Sequence, residues 1–134
     1  AEVTVRNGPT EQYEQCGIVW YYNDRIYVKL VKEIVDGESW IVMGCSLPGG
    51  GRLAGKVPFP KEQIVQLRLT VHAGQIIGSQ RQAGSREWHE VGASPLPKNL
   101  AKEPMISLQT YHGPPSGDHW ARFDDFRVTR RSAR

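Results

Sequence analysis

Three carboxylates, Glu33, Asp36 and Glu38, stand close together in the chain. Hydrolysis of a glycosidic bond uses two such groups, one as acid and one as nucleophile or base. Alternate positions of one strand would supply the pair, because side chains two residues apart share a face. Residues 33 and 36 have opposite parity, however, and Asp36-Gly37 is itself a hairpin-turn signal. The group reads as a polar hairpin tip. Asp124 and Asp125 are adjacent and would point to opposite faces of a strand. Neither place offers a catalytic pair, and no catalytic residue is assigned.

Other chemistry is equally thin. His72, His89, His112 and His119 lack the spacing of zinc ligands, and no metal ligand is assigned. Neither Cys16 nor Cys45 has a nearby histidine to activate it. Gly49-Gly50-Gly51-Arg52 lacks the Lys-Ser/Thr of a phosphate loop and reads as a connection.

What remains is aromatic and polar. Sugars present an apolar C–H face ringed by hydroxyls, which suits flat rings beside hydrogen-bonding side chains. Trp20, Tyr27 and Trp40 offer the rings, and Lys29, Glu33, Arg68 and Arg81 the polar partners. These seven are the candidate ligand-binding residues. A second reading stays open: the same face packs under an adjacent domain or further strands, with Lys29 and Glu33 as a structural ion pair.

Composition narrows the setting. A chain of 134 residues, 39% hydrophobic, suits one domain with a real core. The 14 Gly and 9 Pro point to many turns. No apolar run approaches the ~20 residues of a membrane-spanning helix, so no membrane partner is expected. The net charge is +3, but Arg127, Arg130, Arg131 and Arg134 all lie in the last eight residues. Setting those four aside from the 17 basic residues leaves the rest near neutral against 14 acids. Nucleic acid, which needs a basic stripe on a folded face, is not expected as a partner.

The elements that must position these residues are short strands. Gln15–Tyr22 and Arg25–Ile34 are β-branched and aromatic runs separated by Asn23-Asp24, and Asp36-Gly37 turns the second into Glu38–Cys45. A Gly-rich loop runs from Pro48 to Pro60. Strands follow at Ile64–His72, Gln75–Gln82, Glu87–Val91, Met105–His112 and His119–Val128, with a weaker one at Val3–Arg6. No segment sustains a 3.6-residue apolar period over a helical length, and Ala101–Glu103 offers one turn at most. The spacing predicts an all-β antiparallel sandwich or barrel.

A two-residue turn at Asn23-Asp24 would pair Val19 with Val28 and Trp20 with Tyr27. A two-residue turn at Asp36-Gly37 would pair Val28 with Cys45 and Glu33 with Trp40. One face then collects Val19, Tyr21, Ile26, Val28, Leu30, Ile34, Ile41, Met43 and Cys45, with Lys32 as its exception. The opposite face collects Ile18, Trp20, Tyr22, Tyr27, Lys29, Val31, Glu33, Trp40 and Val42. In this register Cys16 and Cys45 lie on outer strands, nearly ~10 Å apart and on opposite faces, beyond disulfide reach. Two free thiols are predicted.

The run Gln15-Cys16-Gly17-Ile18-Val19-Trp20-Tyr21-Tyr22-Asn23-Asp24, followed by Tyr27-Val28-Lys29-Leu30-Val31-Lys32-Glu33, resembles the central hairpin of concanavalin A-like jelly-roll domains. The segments Leu67–Val71, Gly78–Gly84, Trp88–Gly92 and Ile106–Gly113, closing on Phe123-Asp124-Asp125-Phe126, are similar to the later part of that pattern. The nearest relatives by resemblance are the C-terminal β-sandwich of family-43 β-xylosidases and related bacterial domains of unknown function. The resemblance implies an antiparallel two-sheet jelly roll over residues 1–128, with 129–134 as a basic tail. Such domains carry further strands before this hairpin, so the chain is expected to lack the family's N-terminal strands.

By the same resemblance the function is a non-catalytic module that binds carbohydrate or supports a neighbouring glycoside hydrolase domain. The alternatives are a glycan hydrolase or lyase whose acids lie partly outside this chain, and a purely structural interaction domain. The implied setting is extracellular or periplasmic, and the implied partners are an oligo- or polysaccharide and a neighbouring catalytic domain or N-terminal segment. Trp88 is expected to pack. No cofactor is implied, apart from a structural Ca2+ at Asp124, for which the sequence locates no further oxygen ligands.

Overall fold

The computed structural model describes residues 1–111 and 119–130. His112, the 113–118 loop, Arg131 and Arg134 lie outside them. Ten strands follow in order: β1 (Glu2–Asn7), β2 (Gln15–Asn23), β3 (Ile26–Val35), β4 (Glu38–Leu47), β5 (Gly50–Pro58), β6 (Val65–His72), β7 (Gln75–Gln82), β8 (His89–Pro95), β9 (Met105–Tyr111) and β10 (Ala121–Arg127). They form two antiparallel five-stranded sheets, β10-β1-β6-β7-β8 and β5-β4-β3-β2-β9. Among the described residues there is no helix. The all-β jelly-roll-like sandwich expected from the sequence is the fold.

Alternation builds the core between the sheets. Val3, Val5, Val65, Leu67, Leu69 and Ile76 point inward from the first sheet. They meet Ile18, Trp20, Val28, Leu30, Ile41 and Met43 from the second. Along one side the edge strands β5 and β8 approach backbone to backbone. A Cβ on Gly55 would strike the Val91 carbonyl, and one on Gly92 would strike the Ala54 carbonyl. Glycine is needed at both places for the sandwich to close there.

The β3–β4 hairpin has the expected register, with Val28 opposite Cys45 and Glu33 opposite Trp40. The β2–β3 hairpin does not. Its two-residue turn is Asp24-Arg25, and Asn23 closes it by accepting the backbone N–H groups of Arg25 and Ile26, each at 2.9 Å. A register shift between Tyr21 and Asn23 takes up the extra residue, so Trp20 pairs with Val28 and Val19 with Lys29. Moving the pairing by one residue sends every β2 side chain to the other face. Ile18 and Trp20 are therefore core residues, Tyr22 packs against the core, and Val19 and Tyr21 point outward.

Two further expectations are corrected. The Pro48–Pro60 stretch contains β5, an edge strand along β4. It shows no clear hydrophobic alternation because three of its positions are glycine, and Gly55 is needed where the backbone meets β8. The strand placed at Glu87–Val91 begins only at His89 and continues to Pro95, leaving Trp88 in the approach to it.

Both cysteines are buried and free. The corrected register turns both toward the core rather than to opposite faces. They remain unpaired because Cys16 lies opposite Lys32 while Cys45 lies opposite Val28. That is two strands across and four residues along, roughly 16 Å.

Lys32 is the inward exception foreseen on β3, and it is fully buried. Its ammonium donates to the backbone carbonyls of Lys61 (2.6 Å), Gln63 (2.9 Å) and Asn7 (3.4 Å), using all three N–H bonds. Burial holds its pKa below the usual lysine value, with the charges of Cys16 and Glu62 opposing that shift. A buried charge of this kind is tolerable because its hydrogen bonds are complete.

Candidate functional site

The outer face of the second sheet is laid out in rows across its strands. One row runs Tyr111, Gln15, Glu33, Trp40 and Pro58, on β9, β2, β3, β4 and β5. The next runs Gln109, Gly17, Val31, Val42 and Lys56. The third runs Ser107, Val19, Lys29, Gly44 and Leu53, and the fourth Met105, Tyr21, Tyr27, Ser46 and Gly51. The two middle rows thus carry no aromatic residue, and aromatic residues stand in the two flanking rows.

Gln15 organises this face. Its amide oxygen accepts Lys29 Nζ at 2.7 Å and Gln109 Nε2 at 3.0 Å. Its amide nitrogen donates to Glu33 Oε1 at 2.9 Å and to the Tyr13 carbonyl at 3.1 Å. Every hydrogen-bonding position of the amide is used. Lys29 and Glu33 are therefore joined through Gln15 rather than as the direct ion pair the sequence suggested. The lysine stem passes over Gly44, where a Cβ would come within 3.1 Å of it.

Beneath this network Val19, Val31 and Val42 are buried although they point outward. Burial raises the Glu33 carboxyl above its usual value, and the Lys29 charge offsets this only in part. Trp40 lies beside Glu33, with Lys56 Nζ 4.3 Å from its ring centre. Tyr27 faces Tyr21 across the strands, and the Tyr21 hydroxyl donates to Asp24 at 2.6 Å.

Four of the seven candidates, Tyr27, Lys29, Glu33 and Trp40, share this face. Trp20 does not: it is 3% exposed and belongs to the core, because of the bulge in β2. Arg68 and Arg81 do not either. They project from β6 and β7 on the outer face of the other sheet, alternating with the inward Val65, Leu67 and Leu69. Gln15, Gln109 and Tyr111 belong to the site and were missed as candidates. Gln15 stood in the resemblance motif, but its face depended on a bulge. Tyr111 and Gln109 reach the site only through the pairing of β9 with β2, separated by most of the chain.

The remaining acids fall as the residue parity indicated. Asp36 sits in the hairpin turn with a positive φ of 52° and accepts Gln12 Nε2, and Glu38 is exposed. Asp124 pairs with Arg122 at 2.8 Å. Among the described residues no three His, Cys, Asp or Glu side chains gather as metal ligands. A pair the sequence did not foresee lies at the end of the sandwich, where His119 Nδ1 is 3.0 Å from Glu14 Oε1. The two line a pocket of about 60 Å3 with Asn7, Cys16 and Tyr111.

Solved structures resemble the whole sandwich. The GH43 protein BlXynB of Bacillus licheniformis superposes with a TM-score of 0.80 at 18% identity, over 91% of this chain and 25% of that one. The xylan β-1,4-xylosidase of Bacillus halodurans C-125 gives 0.78 at 19% identity, over 91% and 26%. The chain has their β-sandwich fold. It spans about a quarter of their length, an extent consistent with the C-terminal β-sandwich module that the sequence resemblance implied. A functionally unknown protein from Saccharomyces cerevisiae also matches, with a TM-score of 0.69 at 20% identity, over 81% of this chain and 57% of its own. No protein-family model matches the sequence, and no curated protein matches it.

Proposed function

We propose that this chain is a glycoside-hydrolase-associated β-sandwich module that holds a saccharide on the outer face of its second sheet. The observation that carries the reading is the row Tyr111–Gln15–Glu33–Trp40, two aromatic residues flanking a polar pair that a saturated amide keeps in place. Pre-set polar groups between flat rings match a sugar's alternation of hydroxyls and C–H faces. Lys29 and the second oxygen of Glu33 would serve the hydroxyls, and Trp40, Tyr111 and Tyr27 the apolar faces.

The solved neighbours support the class of ligand. One is named as a xylan β-1,4-xylosidase and another belongs to a Bacteroides ovatus xyloglucan locus. The setting that follows is outside the cytoplasm, where such polysaccharides are met. Titration calorimetry with xylo-oligosaccharides and xyloglucan oligosaccharides tests the reading. Saturable binding that Trp40→Ala removes supports it; no binding to either series overturns it.

The coverage of the neighbours favours one second reading. Because three quarters of each family-43 chain lies outside the match, the same face could instead dock on a catalytic domain. In that case Trp40→Ala would weaken association with that domain and leave calorimetry with oligosaccharides blank.

A further inference from the structure

Arg68 and Arg81, left out of the site above, build a second one. On the outer face of the first sheet, the half-buried indole of Trp88 has the Arg68 guanidinium 3.8 Å and the Arg81 guanidinium 4.4 Å from its centre. The two arginines are held differently. Arg68 gives both Nε and a terminal nitrogen to Glu2 Oε1, each at 2.8 Å. Glu2 Oε2 in turn takes Arg127 at 2.7 Å. Burial pushes the Glu2 carboxyl up, but the two guanidiniums outweigh this and hold it below its usual value. Asp125 lies close enough to Arg127 to add to its charge stabilisation. Glu2 and Asp125, which line the pocket beside Trp88, are thus gathered on Arg68 and Arg127.

Arg81 has no carboxylate partner among the described residues. Its Nε donates to Gln66 Oε1 at 2.6 Å, and the Gln66 amide is itself turned by donating to Thr4 Oγ1 at 3.2 Å. Stacked on Trp88 and anchored at Nε, the guanidinium keeps both terminal nitrogens as a fixed fork with an uncompensated positive charge. A fork of this kind matches a carboxylate, whose two oxygens accept two parallel N–H bonds. Fixing it beforehand removes much of the ordering cost of binding.

The geometry points to a second subsite on the first sheet, in which Arg81, backed by Trp88, binds the carboxylate of a uronic-acid residue. From the proposed function the inference takes only that the ligand is a glycan. Charge complementarity selects the acidic sugar, since Glu2 and Asp125 beside Trp88 are held by Arg68 and Arg127 and no carboxylate among the described residues pairs with the fork. The subsite lies on the opposite side of the sandwich from Trp40.

The test compares a glucuronate-substituted xylo-oligosaccharide with the same compound after reduction of its carboxyl to an alcohol. With the complete chain at low salt, the acid form is expected to bind about tenfold more tightly, the scale of one well-placed charged pair. Arg81→Lys, which keeps the charge and loses the fork, is expected to abolish that preference while the melting temperature stays near that of the parent. Trp40→Ala is expected to leave the preference in place, so the two sites fail separately. Equal affinity for the two forms overturns the inference. A preference that survives Arg81→Lys also overturns it, because diffuse surface charge would then account for the selection. So does an O-sulfated oligosaccharide binding as well as the carboxylate.

Discussion

Gln15 and Glu33 face one another across β2 and β3, and the Gln15 amide nitrogen donates to Glu33 Oε1 at 2.9 Å. The same amide takes Lys29 on its oxygen. A neutral side chain therefore separates two opposite charges and fixes both. Direct pairing would instead have drawn Lys29 and Glu33 together.

Gln15→Ala removes the donor to Glu33 and the acceptor of Lys29 and Gln109. The variant is expected to lose about 2 kcal/mol of stability, since buried polar partners are left unmatched. Urea denaturation measures this. Gln15→Glu keeps the size but places a second carboxylate against Glu33, and should be no better than alanine.

Lys29→Met removes the one charge that draws the Glu33 carboxyl downward. That carboxyl is then expected to titrate still higher, as followed by NMR of its side-chain carbon. A carboxyl whose pKa is raised on folding keeps a proton that the unfolded chain has lost. Stability therefore falls as pH rises through the unfolded value toward the folded one. The variant should accordingly be favoured by acid more than the parent is, comparing unfolding at pH 4 and pH 7.

Two tryptophans of the second sheet should behave oppositely. Trp20→Ala opens a cavity in the core and is expected to cost about 3–5 kcal/mol. Trp40→Ala loses its contact with Lys56 and little packing, so about 1 kcal/mol or less is expected. Only the second should leave a folded protein in which saccharide binding can be read.

Cys16 carries a pH signature. Burial pushes its thiol up to about 12, with Lys32 pulling it down and Glu14 adding to the rise. Above pH 9 the unfolded chain releases this proton and the folded one retains it, so stability falls as pH rises. At pH 10 the loss from this group is about 1.4 kcal/mol, and Cys16→Ala should lack it. Lys32 works in the opposite sense, because its lowered pKa makes folding easier as pH approaches 10.5. For that reason the comparison is made between parent and variant at each pH rather than along one curve.

Gly55→Ala is expected to lower stability by about 1–3 kcal/mol, since the added methyl must push apart the backbones of β5 and β8. Gly8→Ala, where nothing lies within 4 Å of the added carbon, should change the melting temperature little.

The β3–β4 hairpin was legible from Asp36-Gly37 because a two-residue turn sets its register locally. The β2–β3 hairpin misled, since Asn23 spends its side chain capping a turn one residue later than its dipeptide suggested. That single displacement moved Trp20 from the proposed site into the core. β5 gave no hydrophobic signal at all, because an edge strand with three glycines is held by backbone pairing with β4. Arg68 alternates with the apolar residues of its own run, but which sheet carried it and Arg81 depended on β6 pairing with β1 and β7.

Residue order alone determined the all-β class, the succession of short strands and the lysine buried on β3. These follow from alternation and turn chemistry, which act over a few neighbouring residues. Only the tertiary structure decided which face Trp20 joined, how Tyr111 came to stand beside Gln15, and that Arg81 lay on the far sheet against Trp88. Those outcomes rest on a one-residue bulge and on pairings between strands distant in the chain, and neither leaves a periodic trace in the residues themselves.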